Sequence, residues 1–389
     1  MSKTTIITRT VWVLALVSLC TDMASEMLYP VMPLFLKSIG FSVILIGMLE
    51  GLAEATAGLS KGYFGKLSDH LGRRVPFVRL GYALSAVSKP MMAVFVFPLW
   101  IFLSRTVDRL GKGIRAGARD AILSDEATPE TKGRVFGFHR SWDTVGAFLG
   151  PSLGLLFLYL HPGEYRLLFV IAFIPGALAV LLTFMLSESR ASAEIRGNSV
   201  SFFSFLKYWK EATSDYRRLV FGLLFFALIN SSDIFLLLKA KEAGLNDTAV
   251  LGVYIFYNLV YAAFAYPAGV LADKFGLKNT LAFGVFLFAL VYAGMPVALG
   301  AGWFIFLFLI YGLYAACTES VAKAWITNIC SKEDVATAVG TYTAFQSFCT
   351  LIASSLAGLI WFYLSSVFLF LGTAALALIL CVYFALLKK

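Results

Sequence analysis

Long apolar runs separated by short polar turns set the pattern of this chain. Runs of about twenty residues or more fall near 11–36, 43–64, 75–96, 98–121, 135–160 and 167–187, then near 218–238, 248–271, 279–298, 302–327, 335–361 and 364–387. A helix needs roughly 20 residues to cross a hydrocarbon core of about 30 Å. The pattern therefore predicts twelve transmembrane helices. Pro30, Pro33, Pro175 and Gly312 lie inside predicted spans, where membrane helices tolerate them. The one long polar stretch runs roughly from 188 to 217, through Glu188, Arg190, Arg196, Lys207, Lys210 and Arg217. It divides the spans into two sets of six. The expected organisation is an N-terminal six-helix bundle over 1–188, a cytoplasmic linker over 189–217 and a C-terminal six-helix bundle over 218–389. The fold class is all-α, a membrane protein of two pseudo-symmetric bundles.

Composition agrees with lipid as the main solvent. Of 389 residues, 59% are hydrophobic and 14% charged, against about a quarter charged in a soluble chain. That polar surface is too small to cover two or three soluble cores, which excludes a water-soluble enzyme and a disordered scaffold. The net charge of +9 could point to nucleic acid, but the cations gather in loops of one side. With the N-terminus inside, the cytoplasmic segments hold Lys3, Arg9, Lys66, Arg73, Arg74, Lys132, Arg134, the linker cations, Lys274, Lys278, Lys332, Lys388 and Lys389. The other side has little beyond Lys37, Arg166, Lys239 and Lys241, and Trp100, Trp303 and Trp361 fall at its span ends. No nucleic-acid partner is expected. The chain is expected to be multi-pass in the cytoplasmic (inner) membrane with both termini in the cytoplasm.

Cys20, Cys317, Cys330, Cys349 and Cys381 lie in or beside apolar runs without CxxC spacing, so neither a disulfide framework nor a zinc site is expected. Val17-Ser18-Leu19-Cys20 resembles a lipoprotein cleavage site, but Leu19 stands where a small residue is needed. An uncleaved first span is expected. No glycine-rich phosphate loop is present. No cofactor is expected, and energy would come from a gradient.

The halves repeat. Gly65-x-Leu67-Ser68-Asp69 returns as Gly269-x-Leu271-Ala272-Asp273, an offset of 204 that also takes Arg119 to Lys323 and Gly154 to Gly358. Two similar bundles around a midplane site are the architecture of many secondary transporters.

Charges inside the spans are the candidate chemistry. At 100° per residue, Arg105, Asp108, Arg109, Lys112, Arg115, Arg119 and Asp120 of the fourth span fall within an arc of about 140°. Each charge at mid-bilayer costs about 3 kcal/mol, so a lipid-facing stripe would approach roughly 20 kcal/mol. The stripe must face a watery cavity or partner charges, and an ion-pair network such as Arg105 or Arg109 with Asp108 is one solution. Asp22 and Glu26 lie one turn apart in the first span, where mutual repulsion would let one hold a proton unless a cation such as Arg109, Lys112 or Lys89 pairs with it. Cys20, Met23 and Met27 nearby offer soft ligands but no ordered spacing, so no metal site is expected. Glu50 and Glu54 repeat the one-turn spacing in the second span, where either could extend a relay or pair with Lys61 or Lys89. His139, Arg140 and Asp143 share a face of the fifth. In the C-terminal half, Asn230, Asp233, Glu319 and Lys323 are the main polar groups, with Glu319 and Lys323 spaced for an internal pair. Tyr254, Tyr257, Tyr311, Tyr314 and Gln346 are candidate cavity-lining groups or ordinary packing. Aromatics and amides in that half suit a bulky organic substrate.

Over essentially the whole chain these residues resemble the major facilitator superfamily. Gly65-Lys66-Leu67-Ser68-Asp69-His70-Leu71-Gly72-Arg73-Arg74 is similar to its loop motif after the second helix, with His70 at a usually basic position and Leu277 at the Arg position of the second copy. Arg109 to Ala116 resembles its fourth-helix Arg motif, with Lys112 where a neutral residue is common. Gly146-Ala147-Phe148-Leu149-Gly150-Pro151-Ser152-Leu153-Gly154-Leu155 resembles the glycine–proline motif of twelve-helix drug/proton antiporters, apart from Leu155 in place of its last Gly. Asp22 followed by Pro30 and Pro33 resembles another motif of that group, and Asp108 to Arg115 with Gly312-Leu313-Tyr314 and Thr318-Glu319 is similar to a bacterial subgroup.

The expected function is proton-coupled secondary active transport of a small organic solute, anionic or amphiphilic, by alternating access. Asp22, Glu26, Arg109 and Glu54 are the proton-coupling candidates. Arg109, Lys112, Arg105, Lys89, Asn230, Asp233, Tyr254, Tyr257, Tyr311, Tyr314, Glu319 and Gln346 are the substrate-binding candidates. Gly65, Asp69, Gly72, Arg73, Arg74, Gly146, Gly150, Pro151, Gly154, Gly269 and Asp273 are the candidates for conformational motifs. The glycine–proline resemblance implies export as an efflux antiporter; the cationic fourth span favours uptake of an anionic metabolite or siderophore instead. A membrane-embedded transferase would need a second acidic cluster, which the C-terminal half lacks, and a channel would need no repeat. The expected partners are the lipid bilayer and a small-molecule substrate, with the protein a monomer.

Overall fold

The computed structural model describes residues 6–28, 31–32, 35–36, 39–41, 43–188 and 201–387, with side chains described except at 43–55 and 247–248. Among the expected groups, Lys3, Pro30, Pro33, Lys37, Arg190, Arg196, Lys388, Lys389 and the side chains of Glu50 and Glu54 lie outside the described residues.

The described residues fold as α-helices joined by short turns, with no strand among them. In chain order these are α1 (Arg9–Glu26), α2 (Val43–Leu71), α3 (Val75–Val94), α4 (Pro98–Asp125), α5 (Lys132–Leu160), α6 (Tyr165–Thr183), the short α7 (Phe205–Glu211), α8 (Ser214–Ile229), α9 (Ile234–Glu242), α10 (Asp247–Phe275), α11 (Leu277–Gly294), α12 (Gly300–Ile329), α13 (Val335–Tyr363) and α14 (Ser366–Leu386). Polar caps start several of them. Thr8, Thr213, Asn246 and Ser365 each accept a first-turn backbone N–H, at α1, α8, α10 and α14. The repeat shows in the stops as well. Gly72 after α2 and Gly276 after α10 both take positive φ, +59° and +95°, a conformation that glycine adopts without a Cβ penalty.

Eight stretches among the described residues are long and apolar enough to cross a membrane: Lys132–Leu160, Tyr165–Thr183, Ser214–Glu242, Ala249–Phe275, Leu277–Val297, Gly300–Ile329, Lys332–Tyr363 and Ser366–Leu386. The helices α1 to α4 are long as well, but α1 and α4 carry the acidic and basic side chains that the sequence places inside spans. The seventh predicted span, 218–238, departs from a continuous helix. It breaks between Ile229 and Ile234, and Asn230 leaves the helix at φ −88°, ψ 86°. Asn230-Ser231-Ser232-Asp233 is a run of short polar side chains that compete for backbone hydrogen bonds.

The chain forms two compact units. One comprises Met1–Glu126, Trp142–Glu211 and Cys330–Ala344; the other comprises Ala127–Ser141, Ala212–Ile329 and Phe345–Lys389. In the first, Met27, Leu28, Phe35, Met92, Ile101, Leu168 and Phe169 belong to one buried apolar cluster. Small residues let its helices meet backbone to backbone: a Cβ on Gly81 would lie 2.6 Å from Gly111 O, and one on Gly111 would lie 2.5 Å from Gly81 O. In the second unit, Phe226, Phe288, Tyr292 and Tyr314 form a packed aromatic core, with Phe288 and Tyr292 stacked at 4.1 Å.

Candidate functional site

In the first unit, α5 lies directly on the backbone of α1. Gly146, Gly150 and Gly154 recur every fourth residue and so share one face of α5. A Cβ on them would lie 2.4 Å from Leu19 O, 2.6 Å from Met23 O and 2.6 Å from Met27 O, respectively. Pro151 beside them is buried. This contact fixes the stretch of α1 that carries Asp22 and Glu26, both half-buried. Lys112, Arg109, Asp143 and Lys89 all act electrostatically on Glu26, so two acids and three cations converge there.

The charged stripe of α4 is mostly satisfied by protein. Asp108 receives Lys89 Nζ of α3 at 2.7 Å, with Arg109 and Arg105 also acting on it. The partners that the spacing offers, Arg105 and Arg109, thus act on Asp108 alongside Lys89. Lys89 is 2% exposed and reaches Asp108 across from the neighbouring helix. Arg115 donates to Ser85 Oγ at 2.5 Å and lies over the Tyr82 ring at 4.4 Å. Arg119 pairs with Asp120 at 2.9 Å. Arg105 is buried, Arg109 half-buried, and Lys112 is exposed.

In the second unit, the polar groups gather at the break between α8 and α9. Tyr311 donates its hydroxyl to Asp233 Oδ1 at 2.6 Å, and Asn230 Nδ2 donates to Tyr314 Oη at 2.8 Å. The two pairs run in antiparallel register along α12. Tyr257 packs on Tyr311 at 5.0 Å, Tyr311 on Tyr314 at 5.1 Å and Tyr254 on Tyr257 at 6.1 Å between ring centroids. Glu319, spaced for Lys323 on its own helix, meets Arg140 of α5 at 2.5 Å. Arg140 also donates to Tyr261 Oη and lies over that ring. Gln346 on α13 is half-buried.

The repeated loop motif makes the same contact twice. Asp69 accepts from Thr337 N at 2.6 Å and Thr337 Oγ1 at 2.8 Å, at the N-terminus of α13. Asp273 accepts from Gly133 N at 2.8 Å and Arg134 N at 3.1 Å, at the N-terminus of α5. Each carboxylate meets the positive end of a helix. Gly65 and Gly269 permit the approach: a Cβ there would lie 2.4 Å from Ala336 O or 2.2 Å from Gly133 O. Arg74 bonds both Asp69, at 3.6 Å, and Asp125, while Arg73 is exposed. At the second copy Leu277 occupies the Arg position, and Arg134 of α5 supplies the cation, 3.2 Å from Asp273.

The sequence profile described as Major Facilitator Superfamily matches residues 14–258 and 240–389. The chain belongs to the major facilitator superfamily. An MFS-type transporter of Methanocaldococcus jannaschii is 31% identical over 361 residues, which cover 91% of this chain and 89% of that protein. The quinolone resistance protein NorA of Staphylococcus aureus is 26% identical over 157 residues, 40% of this chain and 39% of that one. Among solved structures, the human organic anion transporter TETRAN superposes with a TM-score of 0.82 at 17% identity, over 97% of this chain and 99% of that one. FucP, solved in an outward conformation, superposes at 0.81 with 12% identity, over 99% and 100%. These structures share the fold. The chain is a multi-pass membrane transporter, not an enzyme.

Within this major facilitator fold the expected residues separate into three places. Asp22, Glu26, Lys89, Arg105, Arg109 and Lys112 lie in the first unit, and Asn230, Asp233, Tyr254, Tyr257, Tyr311, Tyr314, Glu319 and Gln346 in the second. The loop-motif residues hold helix ends. Sequence reasoning passed over Tyr261 and Thr337, and read Glu188 only as the start of the linker, whereas its Oε1 accepts Arg74 N and Val75 N at 2.7 and 2.8 Å and so caps α3. The repeat held a signal for Thr337, since Gly133 and Thr337 are also 204 apart. Among the described residues, no group of three or more His, Cys, Asp or Glu is placed to hold a metal ion.

Proposed function

We propose that this transporter exports a small organic solute in exchange for protons, by alternating access of two six-helix bundles over 1–188 and 218–389. Asp22 and Glu26 carry the proton, and Arg109 tunes their affinity for it. The observation that carries the reading is the surroundings of Glu26. A carboxylate beside Lys112, Arg109, Lys89 and Asp143 has its charge state set by the balance of its neighbours. A change in that balance, from solute binding or helix movement, changes proton occupancy. Such intramembrane carboxylates mark proton relays in transporters. Export is favoured by the glycine–proline stripe of α5 packed against α1 and by the partial likeness to NorA, a quinolone resistance protein. The paired helix-end contacts of Asp69 and Asp273 would break and re-form as access alternates. The gradient is the energy source without a cofactor, the protein acts as a monomer in the inner membrane, and its termini and linker face the cytoplasm.

Exposed Lys112 next to half-buried Arg109 favours one second reading, uptake of an anionic solute. Reconstituted protein under an imposed pH gradient tests both. Asp22→Asn and Glu26→Gln should each abolish gradient-driven solute movement. If these variants keep native rates while neutralising Arg109 or Lys112 stops an anion from entering, the second reading replaces the first.

A further inference from the structure

Residues 201–211, the end of the predicted linker, are docked on the first unit. Ser201-Phe202-Phe203-Ser204 turns into the short helix α7, and the segment contacts both α2 and the start of α13. Phe205 lays its ring on Gly62 of α2, where a Cβ would come within 2.6 Å of it. Lys66 Nζ of α2 donates to Ser204 O at 3.0 Å, and Thr341 Oγ1 of α13 donates to Phe205 O at 3.5 Å. Phe205 and Tyr208 are buried and lie three residues apart, so they share the inward face of α7. The two helices they bridge also touch directly: a Cβ on Gly340 of α13 would lie 2.4 Å from Lys61 O of α2.

The other face of the segment points away from protein. Phe203, Leu206, Lys207 and Lys210 follow helical spacing and are all exposed, with exposed Phe202 beside them. Apolar side chains that are clustered and exposed mark an interaction surface. Phe202 meets Phe203 at 5.1 Å and Tyr63 of α2 at 5.0 Å. Tyr63 adjoins Phe64, which meets Phe77 of α3 at 6.3 Å. Phe64 and Phe77 belong to predicted spans, so the patch continues the apolar surface of two membrane helices. Its charge is positive: Lys207 and Lys210 stand against Glu211, the one acid in 201–211. Aromatic and aliphatic side chains interleaved with lysines suit the headgroup region of a membrane that holds anionic lipid.

We infer that residues 201–211 form a lipid-anchored strap: Phe202, Phe203 and Leu206 enter the headgroup region, Lys207 and Lys210 pair with anionic phospholipid, and Phe205 thereby clamps the start of α13 to α2. Neutral lipid would seat the aromatics but leave the lysines without counter-charge, so anionic lipid tightens the strap. The consequence for transport rests on the alternating-access reading, in which the helix ends held by Asp69 come apart; the lipid contact itself does not depend on it.

The test is backbone hydrogen–deuterium exchange of the full-length protein, without solute or gradient. One sample sits in nanodiscs of phosphatidylcholine, the other in nanodiscs of phosphatidylcholine and phosphatidylglycerol in equal parts. Phosphatidylglycerol should slow exchange over 201–211 by about fivefold or more, the worth of roughly one lysine at an anionic surface, and should slow 335–344 with it. Lys207→Gln with Lys210→Gln should erase that difference and leave exchange in phosphatidylcholine as it was; Lys207→Arg with Lys210→Arg should keep it. Phe205→Ala should speed exchange over 335–344 severalfold in the anionic discs, with 277–294 of α11 unchanged as the control for folding. Native exchange over 201–211 that is equal in both discs, or a lipid effect that survives loss of both lysines, overturns the inference. So does equal slowing by soluble glycerol 3-phosphate in neutral discs, which would make the ligand a free phosphate. Unchanged exchange over 335–344 in Phe205→Ala overturns the clamp. Lipid-dependent protection without proton-driven flux would sink the exporter reading alone, and proton-driven flux without that protection would sink the strap alone.

Discussion

Thr337 gives both its backbone N–H and its hydroxyl to one oxygen of Asp69, at 2.6 and 2.8 Å. A single carboxylate thus caps the start of α13 from the end of α2. Replacing Asp69 with Asn keeps one acceptor and removes the charge. The loss should be about 1 kcal/mol, in the range of helix caps and charge-assisted bonds. Cys330 packs against Val335, Ala336 and Ala121 beside this cap. Maleimide labelling of Cys330 should therefore become faster in Asp69→Asn than in native protein, and an unchanged rate would show that the bond does not hold this helix end.

Lys89 and Asp108 form a buried pair at 2.7 Å, and removing either leaves the other charged in a low-dielectric interior. Lys89→Met or Asp108→Asn alone should cost about 3–5 kcal/mol. The double variant should lose clearly less than the sum, as residues in direct contact do. Thermal midpoints of the four proteins in detergent check this. Additive losses would mean the two groups are stabilised by other partners.

Gly150 offers a steric test of the α1–α5 contact. An added methyl would lie 2.6 Å from Met23 O and 2.8 Å from Met27 N, and backbone atoms cannot swing aside. Gly150→Ala should cost about 1–3 kcal/mol, the usual range for overpacking, and reduce transport by displacing Asp22 and Glu26. Gly372 has nothing within 4 Å of its ideal Cβ, so Gly372→Ala should fold and transport normally. Equal behaviour of the two variants would remove the packing argument.

Much of this architecture was legible in the chain because lipid imposes a coarse code. Apolar runs long enough to cross a bilayer announce helices such as α6, α11 and α14, and Gly or Pro punctuation rarely stops them. The 204-residue repeat pointed to paired loop motifs, and both copies do place Asp69 and Asp273 on helix N-termini. Partners across helices were less readable. Sequence spacing favoured Glu319 with Lys323 and Asp108 with Arg105 or Arg109, because it sees only neighbours on one helix. Tertiary packing adds Arg140 and Lys89 from other helices. The break at Asn230–Asp233 was also hidden, since its four polar residues interrupt an otherwise apolar run without Pro or Gly.

The central claim is that protons move through Glu26 in exchange for solute. The direct measurement is ethidium accumulation in proteoliposomes with an acid interior, native protein against Glu26→Gln, both shown by circular dichroism to be helical. The account predicts accumulation by native protein that collapses when a protonophore dissipates the gradient, and none by Glu26→Gln. Accumulation by Glu26→Gln at the native rate, or native accumulation that survives the protonophore, would contradict it.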